Sequence, residues 1–115
     1  MAGGERLLGG LRAWTWQRVS ALYLLGFGLV LAIRLVATPL ADYAQWHAFW
    51  TAPPMATATL LAVVSLAVHA WVGGRDVILD YVRPRSARPV ALALLGLLIG
   101  LAVARFAVAL LAALG

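Results

Sequence analysis

Three long apolar runs constrain the fold of this chain more than any other feature of its sequence. They cover residues 16–37, 55–73 and 90–114. A helix needs roughly 20 residues to cross a hydrocarbon core of about 30 Å, so each run is long enough to span a membrane. A span that faces lipid must satisfy its own backbone hydrogen bonds, and a helix does so. We therefore expect an all-α integral membrane protein with three transmembrane helices.

The composition agrees with a membrane protein rather than a small soluble domain. Hydrophobic residues make up 64% of the 115 residues and charged residues only 11%, which leaves too little polar surface to cover a soluble fold. The apolar run in residues 1–15 is too short for a signal peptide, and Glu5 is unusual in a transit peptide, so these residues are interpreted as a cytoplasmic leader that is partly helical. We expect a single domain over residues 1–115.

The charge of the chain is concentrated on one side of the expected membrane. The formal charge of +5 comes from nine arginines, with no lysine. Arg6, Arg12 and Arg18 precede or open the first span, and Arg75, Arg83, Arg85 and Arg88 lie between the second and third spans, whereas residues 38–54 carry no arginine. This asymmetry indicates a positive-inside membrane protein and not a nucleic-acid-binding one. The N-terminus is expected in the cytoplasm and the C-terminus outside.

The two connections between the spans have different compositions. Residues 38–54 are expected to form a short outer loop, in which Tyr43, Trp46 and Trp50 suit the membrane interface. The second connection is expected to begin near Gly73 and Gly74. In the third span, glycines at positions 96 and 100 have the spacing of a helix-packing face, although such spacing is common by chance.

His69 is the histidine expected inside the membrane. It lies 14 residues after Met55, or about 21 Å along a helix, towards the cytoplasmic side. At about 100° per residue, Ser65, His69, Gly73 and Asp76 share one stripe of the helix, which Asp80 would extend. An intramembrane ionisable residue needs a compensating partner, and imidazole is a common haem ligand. The stripe alone is equally compatible with a hydrogen bond to a neighbouring helix.

Five other polar residues have a structural and a functional interpretation. Arg18 could pair with a haem propionate or serve as a positive-inside anchor. Tyr81 could donate a hydrogen bond to a carbonyl, and Asp80 could tune a proton pathway, but interfacial tyrosines are usually anchors. Arg34 and Arg105 are expected to snorkel to the headgroups at the outer ends of their spans.

The segment "HAWVGGRDVILDYVRP", residues 69–84, resembles the characteristic segment of the hydrophobic membrane-anchor D subunit of bacterial succinate dehydrogenase. The matching positions are His69, Ala70, Trp71, Asp80, Tyr81, Arg83 and Pro84. The order of three spans after a cytoplasmic N-terminus agrees over nearly the whole chain.

The resemblance implies half of a two-subunit membrane anchor in respiratory complex II, within a bacterial inner membrane and with a periplasmic C-terminus. His69 then takes the position of an axial ligand to a haem b shared with a sister anchor, the C subunit. Tyr81, with Asp80 beside it, takes a position at a ubiquinone site, and Arg18 matches a basic residue near the haem propionates. The other expected partners are the iron–sulfur subunit, the flavoprotein subunit and membrane lipid, with no nucleic acid.

The chain is expected to be a non-catalytic subunit. It has no cysteine and no glycine-rich loop after a strand, so FAD and iron–sulfur clusters are expected only in partner subunits. One alternative is a haem-free structural anchor of a related fumarate reductase-type complex, which leaves His69 and Tyr81 without a task. Another is a small transporter or channel subunit, but Arg34 and Arg105 lie at one end of the spans and His69 nearer the other.

Overall fold

The computed structural model describes the backbone of residues 2–115 and the side chains of residues 10–115. This part of the chain is helical and contains no strand. The helices are α1 (Ala2–Ala37), α2 (Tyr43–Thr51), α3 (Pro53–Tyr81) and α4 (Arg88–Leu114), with a short 3-10 helix at Arg85–Ala87. Three segments, Gly10–Ala37, Pro53–Tyr81 and Arg85–Leu114, are long and apolar enough to cross a membrane. The expected all-α fold with three membrane-length helices is confirmed.

Helix α1 begins much earlier than the apolar run that predicted it. The expected boundary was residue 16, whereas the helix starts at Ala2 and continues without a break to Ala37. No proline separates the leader from the span, so no residue between them is incompatible with a continuous helix. A helix of 36 residues is about 54 Å long, so α1 extends well beyond a hydrocarbon core of about 30 Å. The side chains of Glu5 and Arg6 lie outside the described part.

The expected outer loop contains a helix of its own, α2. Asp42 caps its N-terminus, because the Asp42 carboxylate accepts a hydrogen bond from the backbone N–H of Gln45 at 2.8 Å. The Gln45 side chain in turn accepts from the backbone N–H of Ala41 at 3.0 Å. This reciprocal arrangement resembles a capping box and satisfies two backbone donors. Two prolines then occupy the first positions of α3.

Helix α3 passes through Gly73 and Gly74, so the expected loop boundary at these residues was wrong. Neither glycine has a positive φ. Instead they allow close approach of the flanking helices: a Cβ added at Gly73 would lie 3.7 Å from Gln17 Nε2 of α1, and one at Gly74 would lie 2.7 Å from Leu95 Cδ2 of α4. The helix ends at Tyr81, shortly before Arg83 and Pro84. The ring of Pro84 disfavours helical geometry at Arg83, the residue that precedes it.

Helix α3 lies between the other two membrane-length helices. It packs against both α1 and α4, whereas α1 and α4 make no contact with each other within the described residues. The Tyr23 hydroxyl of α1 donates to the Ala58 carbonyl of α3 at 2.7 Å. On the other side, a Cβ added at Gly96 would lie 3.5 Å from the Trp71 ring, whereas one at Gly100 would meet no atom within 4 Å. Only Gly96 of the predicted glycine pair therefore packs against α3.

Very little of the described chain is buried. The buried residues are Ser20, Ala56, Ala62 and Val72, and most large apolar side chains of α1 and α4 are exposed. An apolar exterior of this extent is compatible with lipid or with another membrane subunit, but not with water.

Candidate functional site

His69 lies on the side of α3 that faces α1. Ala62 and Gly73 are within about 40° of His69 around the helix, and Ala62 is buried while Gly73 approaches Gln17 of α1. The His69 side chain is half-buried, and its Nδ1 atom is buried without a hydrogen-bond partner among the described residues. A buried polar atom without a partner is costly, by roughly 1–3 kcal/mol. The imidazole therefore has a bonding capacity that this part of the chain does not use.

The polar stripe predicted from residue spacing is continuous, because α3 extends to Tyr81. Ser65 is half-buried in the same helix, and Asp76 and Asp80 are exposed towards its C-terminal end. Gly73, within this stripe, accommodates α1 of the same chain, as described above. The close approach that this glycine allows is thus taken by this chain's own first helix.

Gln17 is a neighbour of this stripe that the sequence did not identify. It is half-buried, and its amide lies beside Gly73. The backbone carbonyl of Gln17 accepts a hydrogen bond from the Ser20 hydroxyl at 2.9 Å, and Ser20 is only 5% exposed. Its sequence signal was a polar amide close to the start of an apolar run. Gln17 and Ser20 give α1 a polar contact region opposite the C-terminal half of α3.

Arg18 lies on a different side of α1 from Ser20. The two residues are separated by about 160° around the helix, and Arg18 is exposed whereas Ser20 is buried against the bundle. The Arg18 guanidinium lies 5.4 Å from the centroid of the Trp14 ring, a cation–π distance. The structure shows no contact between Arg18 and His69, so a role for Arg18 at a haem propionate stays a prediction.

The C-terminal turn of α3 contains the other ionisable residues of the segment. Asp80 and Tyr81 are part of this turn, rather than following the helix as expected. Tyr81 is 79% exposed and its hydroxyl has no hydrogen bond with a described residue. One turn earlier, Arg75 and Asp76 form an ion pair at 3.3 Å, and Arg75 Nε is buried without a partner among the described residues. Tyr81 and Asp80 are therefore available to a ligand or a partner subunit.

His47 occupies a separate region at the opposite end of the molecule. It is exposed on α2, and its ring is 6.0 Å from that of Tyr43. Within residues 10–115, no three His, Cys, Asp or Glu side chains are grouped closely enough to hold a metal ion by themselves. Of the two histidines, His69 is half-buried and lies within a membrane-length helix, whereas His47 is exposed and does not.

Comparisons with known proteins agree with this architecture. The profile of the succinate dehydrogenase/fumarate reductase transmembrane subunit family matches residues 9–109. The chain belongs to this family. A similar protein is the succinate dehydrogenase hydrophobic membrane anchor subunit of Coxiella burnetii (strain RSA 493 / Nine Mile phase I), with 33% identity over 79 residues that cover 69% of each chain. No solved structure matches the chain.

The family assignment confirms the resemblance found in residues 69–84. The matched region contains the first two membrane-length helices in full and most of the third. It includes His69, Asp80 and Tyr81. A transmembrane subunit of a succinate dehydrogenase or fumarate reductase is a membrane-anchor protein, which explains the long apolar helices and the exposed apolar surface. The chain is thus a multi-pass membrane anchor of this family.

Proposed function

We propose that this chain is the D-type membrane-anchor subunit of a succinate dehydrogenase, which holds a haem b jointly with a sister anchor and contributes to a ubiquinone-reduction site. The observation that carries this proposal is the half-buried His69 ring, which makes no hydrogen bond with a described residue, in a membrane-length helix of this family. Its Nδ1 atom is enclosed by the chain, whereas Nε2 is neither enclosed nor hydrogen-bonded to a described residue, so Nε2 is available to bind a group from outside.

His69 would hold the haem by binding its iron. The donor fits, because neutral imidazole is a common haem ligand and this ring is not committed to another described side chain. The second ligand would come from the sister anchor, since His47 lies on α2. Arg18 would pair with a propionate from the exposed side of α1, where its guanidinium rests over Trp14. A bound haem b supplies a one-electron redox centre.

Tyr81 and Asp80 would contribute to the ubiquinone site at the cytoplasmic end of α3. The exposed Tyr81 hydroxyl would donate a hydrogen bond to a quinone carbonyl oxygen, which orients the ring and stabilises negative charge on that oxygen. The Asp80 carboxylate, one residue away and also exposed, would relay protons from the aqueous side. Oxidation of succinate releases two electrons and two protons, and the quinone takes up the same number to become a quinol.

The remaining chemistry would reside in partner subunits. The iron–sulfur clusters would be in the iron–sulfur subunit, because this chain has no cysteine to hold them, and FAD would be in the flavoprotein subunit, because this chain has no glycine-rich phosphate-binding loop after a strand. The arginine-rich connection between α3 and α4 would lie on the cytoplasmic side of a bacterial inner membrane, with the C-terminus in the periplasm. Residues 1–115 would act as one anchor domain that docks the soluble subunits.

A visible absorption spectrum of the assembled complex tests this function. The complex is purified with its sister anchor and soluble subunits, and the spectrum is recorded before and after dithionite reduction. We expect a reduced b-type band in the purified complex. A fully assembled, succinate-oxidising complex without this band would instead identify the chain as a haem-free anchor.

A further inference from the structure

Two cavities meet at Arg34, near the end of the bundle that carries the α1–α2 connection. The larger has a volume of about 470 Å³ and follows α1, where its lining includes Leu22, Gly26 and Val30. The smaller has a volume of about 360 Å³ and includes Thr38 and Gln45 in its lining. Arg34 and Phe49 line both cavities. We call the pair the Arg34 cleft: an apolar channel along α1, open to one side, whose end at Arg34, Thr38 and Gln45 is more polar.

The Arg34 guanidinium is held in place at this junction by its own chain. One of its terminal N–H groups donates to the Thr38 carbonyl at 2.7 Å, and its central carbon lies 5.1 Å from the centroid of the Phe49 ring. No carboxylate lies within ion-pair distance of it among the described residues. The closest acidic residue in sequence, Asp42, is occupied in capping α2. The cation is therefore oriented but lacks a counter-ion.

We propose that the Arg34 cleft binds one anionic phospholipid, with an acyl chain in the apolar channel and its phosphate on Arg34. The apolar channel would hold the acyl chain and the more polar end would hold the phosphate, and these parts follow each other in the same order in a phospholipid. A cation at a membrane interface without an acidic partner attracts an anionic headgroup, and the remaining guanidinium N–H groups are donors suited to phosphate oxygens. A neutral apolar helix in the cleft would leave the Arg34 charge desolvated and uncompensated.

Arg105 provides an internal comparison for this assignment. Like Arg34, it is exposed and lies within an apolar helix, α4, but it makes neither a hydrogen bond nor a cation–π contact with a described residue. It lines none of the cavities described here. Snorkelling to the headgroups accounts for Arg105, whereas the fixed position of Arg34 beside an apolar channel indicates a defined lipid site.

The first experiment measures lipid retention after charge removal. The assembled complex, as wild type, Arg34→Gln or Arg105→Gln, is purified in mild detergent and titrated with phosphatidylglycerol or phosphatidylcholine, and bound lipid is counted by native mass spectrometry. We expect the wild type and Arg105→Gln to retain one phosphatidylglycerol at this site in preference to phosphatidylcholine. Arg34→Gln is expected to bind it roughly tenfold more weakly, as for the loss of a charge-assisted hydrogen bond.

The second experiment fills the apolar channel without changing charge. A Cβ at Gly26 meets no atom within 4 Å, and Gly26 lines the channel, so Gly26→Leu should fill it without a clash within this chain. Gly28 also has open space around it but does not line the channel, which makes Gly28→Leu the matched control. We expect lipid loss in Gly26→Leu and retention in Gly28→Leu.

Three results would overturn the proposal. Unchanged phosphatidylglycerol retention in Arg34→Gln would remove the phosphate contact. Equal loss in Arg34→Gln and Arg105→Gln would indicate general attraction of anionic lipid rather than a site. Failure of only the Gly26→Leu complex to assemble with the sister anchor would show that the cleft is a protein interface.

Discussion

Replacement of Tyr81 by phenylalanine isolates one hydroxyl at the end of α3. Because Tyr81 is 79% exposed and its hydroxyl has no partner among the described residues, the change should leave the fold of this chain unaltered. If the hydroxyl donates to a quinone carbonyl, its loss removes one neutral hydrogen bond, worth about 0.5–1.5 kcal/mol. Since about 1.4 kcal/mol corresponds to a factor of ten, kcat/KM for ubiquinone is expected to fall about two- to tenfold.

The assay compares two electron acceptors in the same assembled complex. Succinate oxidation is followed with a short-chain ubiquinone and, separately, with a soluble artificial acceptor that accepts electrons before the membrane. We expect the quinone-dependent rate alone to fall in Tyr81→Phe. Tyr43→Phe is the matched control, because Tyr43 is 76% exposed but lies on α2 at the other end of the molecule. Wild-type quinone kinetics in Tyr81→Phe would show that Tyr81 is an interfacial anchor, and the quinone contact would belong to another residue.

Three further predictions concern packing and assembly. Tyr23→Phe removes the 2.7 Å hydrogen bond to Ala58 between α1 and α3, so the free energy of unfolding of the detergent-solubilised complex should fall by about 0.6–1.5 kcal/mol; an unchanged thermal midpoint would contradict it. Gly74→Leu should destabilise by about 1–3 kcal/mol because its side chain displaces Leu95, whereas a Cβ at Gly100 meets no atom within 4 Å and Gly100→Leu should destabilise less; equal thermal midpoints for the two variants would contradict the described α3–α4 contact. The chain expressed alone should aggregate in mild detergent, since Asp76, Asp80 and most large apolar side chains of α1 and α4 are exposed without a partner subunit; a stable, monodisperse monomer by size-exclusion chromatography would argue against an obligate sister subunit.

The three membrane-length helices could be predicted from sequence because their cause is local. Each apolar run exceeds the length that a bilayer requires, and no tertiary contact is needed to see it. The resemblance in residues 69–84 likewise depended only on residue identity and order, and the family match confirms it.

The internal boundaries could not be read from sequence because they depend on contacts between helices. Gly73 and Gly74 indicated a turn, but in the structure they lie where α1 and α4 approach α3, and the helix continues past them. The short helix α2 was missed because its reciprocal cap involves Asp42 and Gln45 inside an aromatic segment that was interpreted as an interfacial loop.

The surroundings of the candidate site were also only partly predictable. Spacing along α3 correctly aligned Ser65, His69 and Gly73, but it carried no information about which helix would face them. Gln17 became visible as a neighbour only when α1 was placed against α3. Arg18, one residue later, lies on another side of α1, because a single residue rotates the side chain by about 100°.

The most direct test of the account is the low-temperature electron paramagnetic resonance and visible spectrum of the assembled His69→Ala complex. The control is Ser65→Ala, which changes a half-buried polar residue one turn away on the same stripe. If His69 is an axial ligand, the low-spin b-type signal is lost or becomes high-spin in His69→Ala and is retained in Ser65→Ala. An unchanged low-spin spectrum in an assembled His69→Ala complex would contradict the assignment of His69 as a haem ligand, and with it the proposed function of this helix.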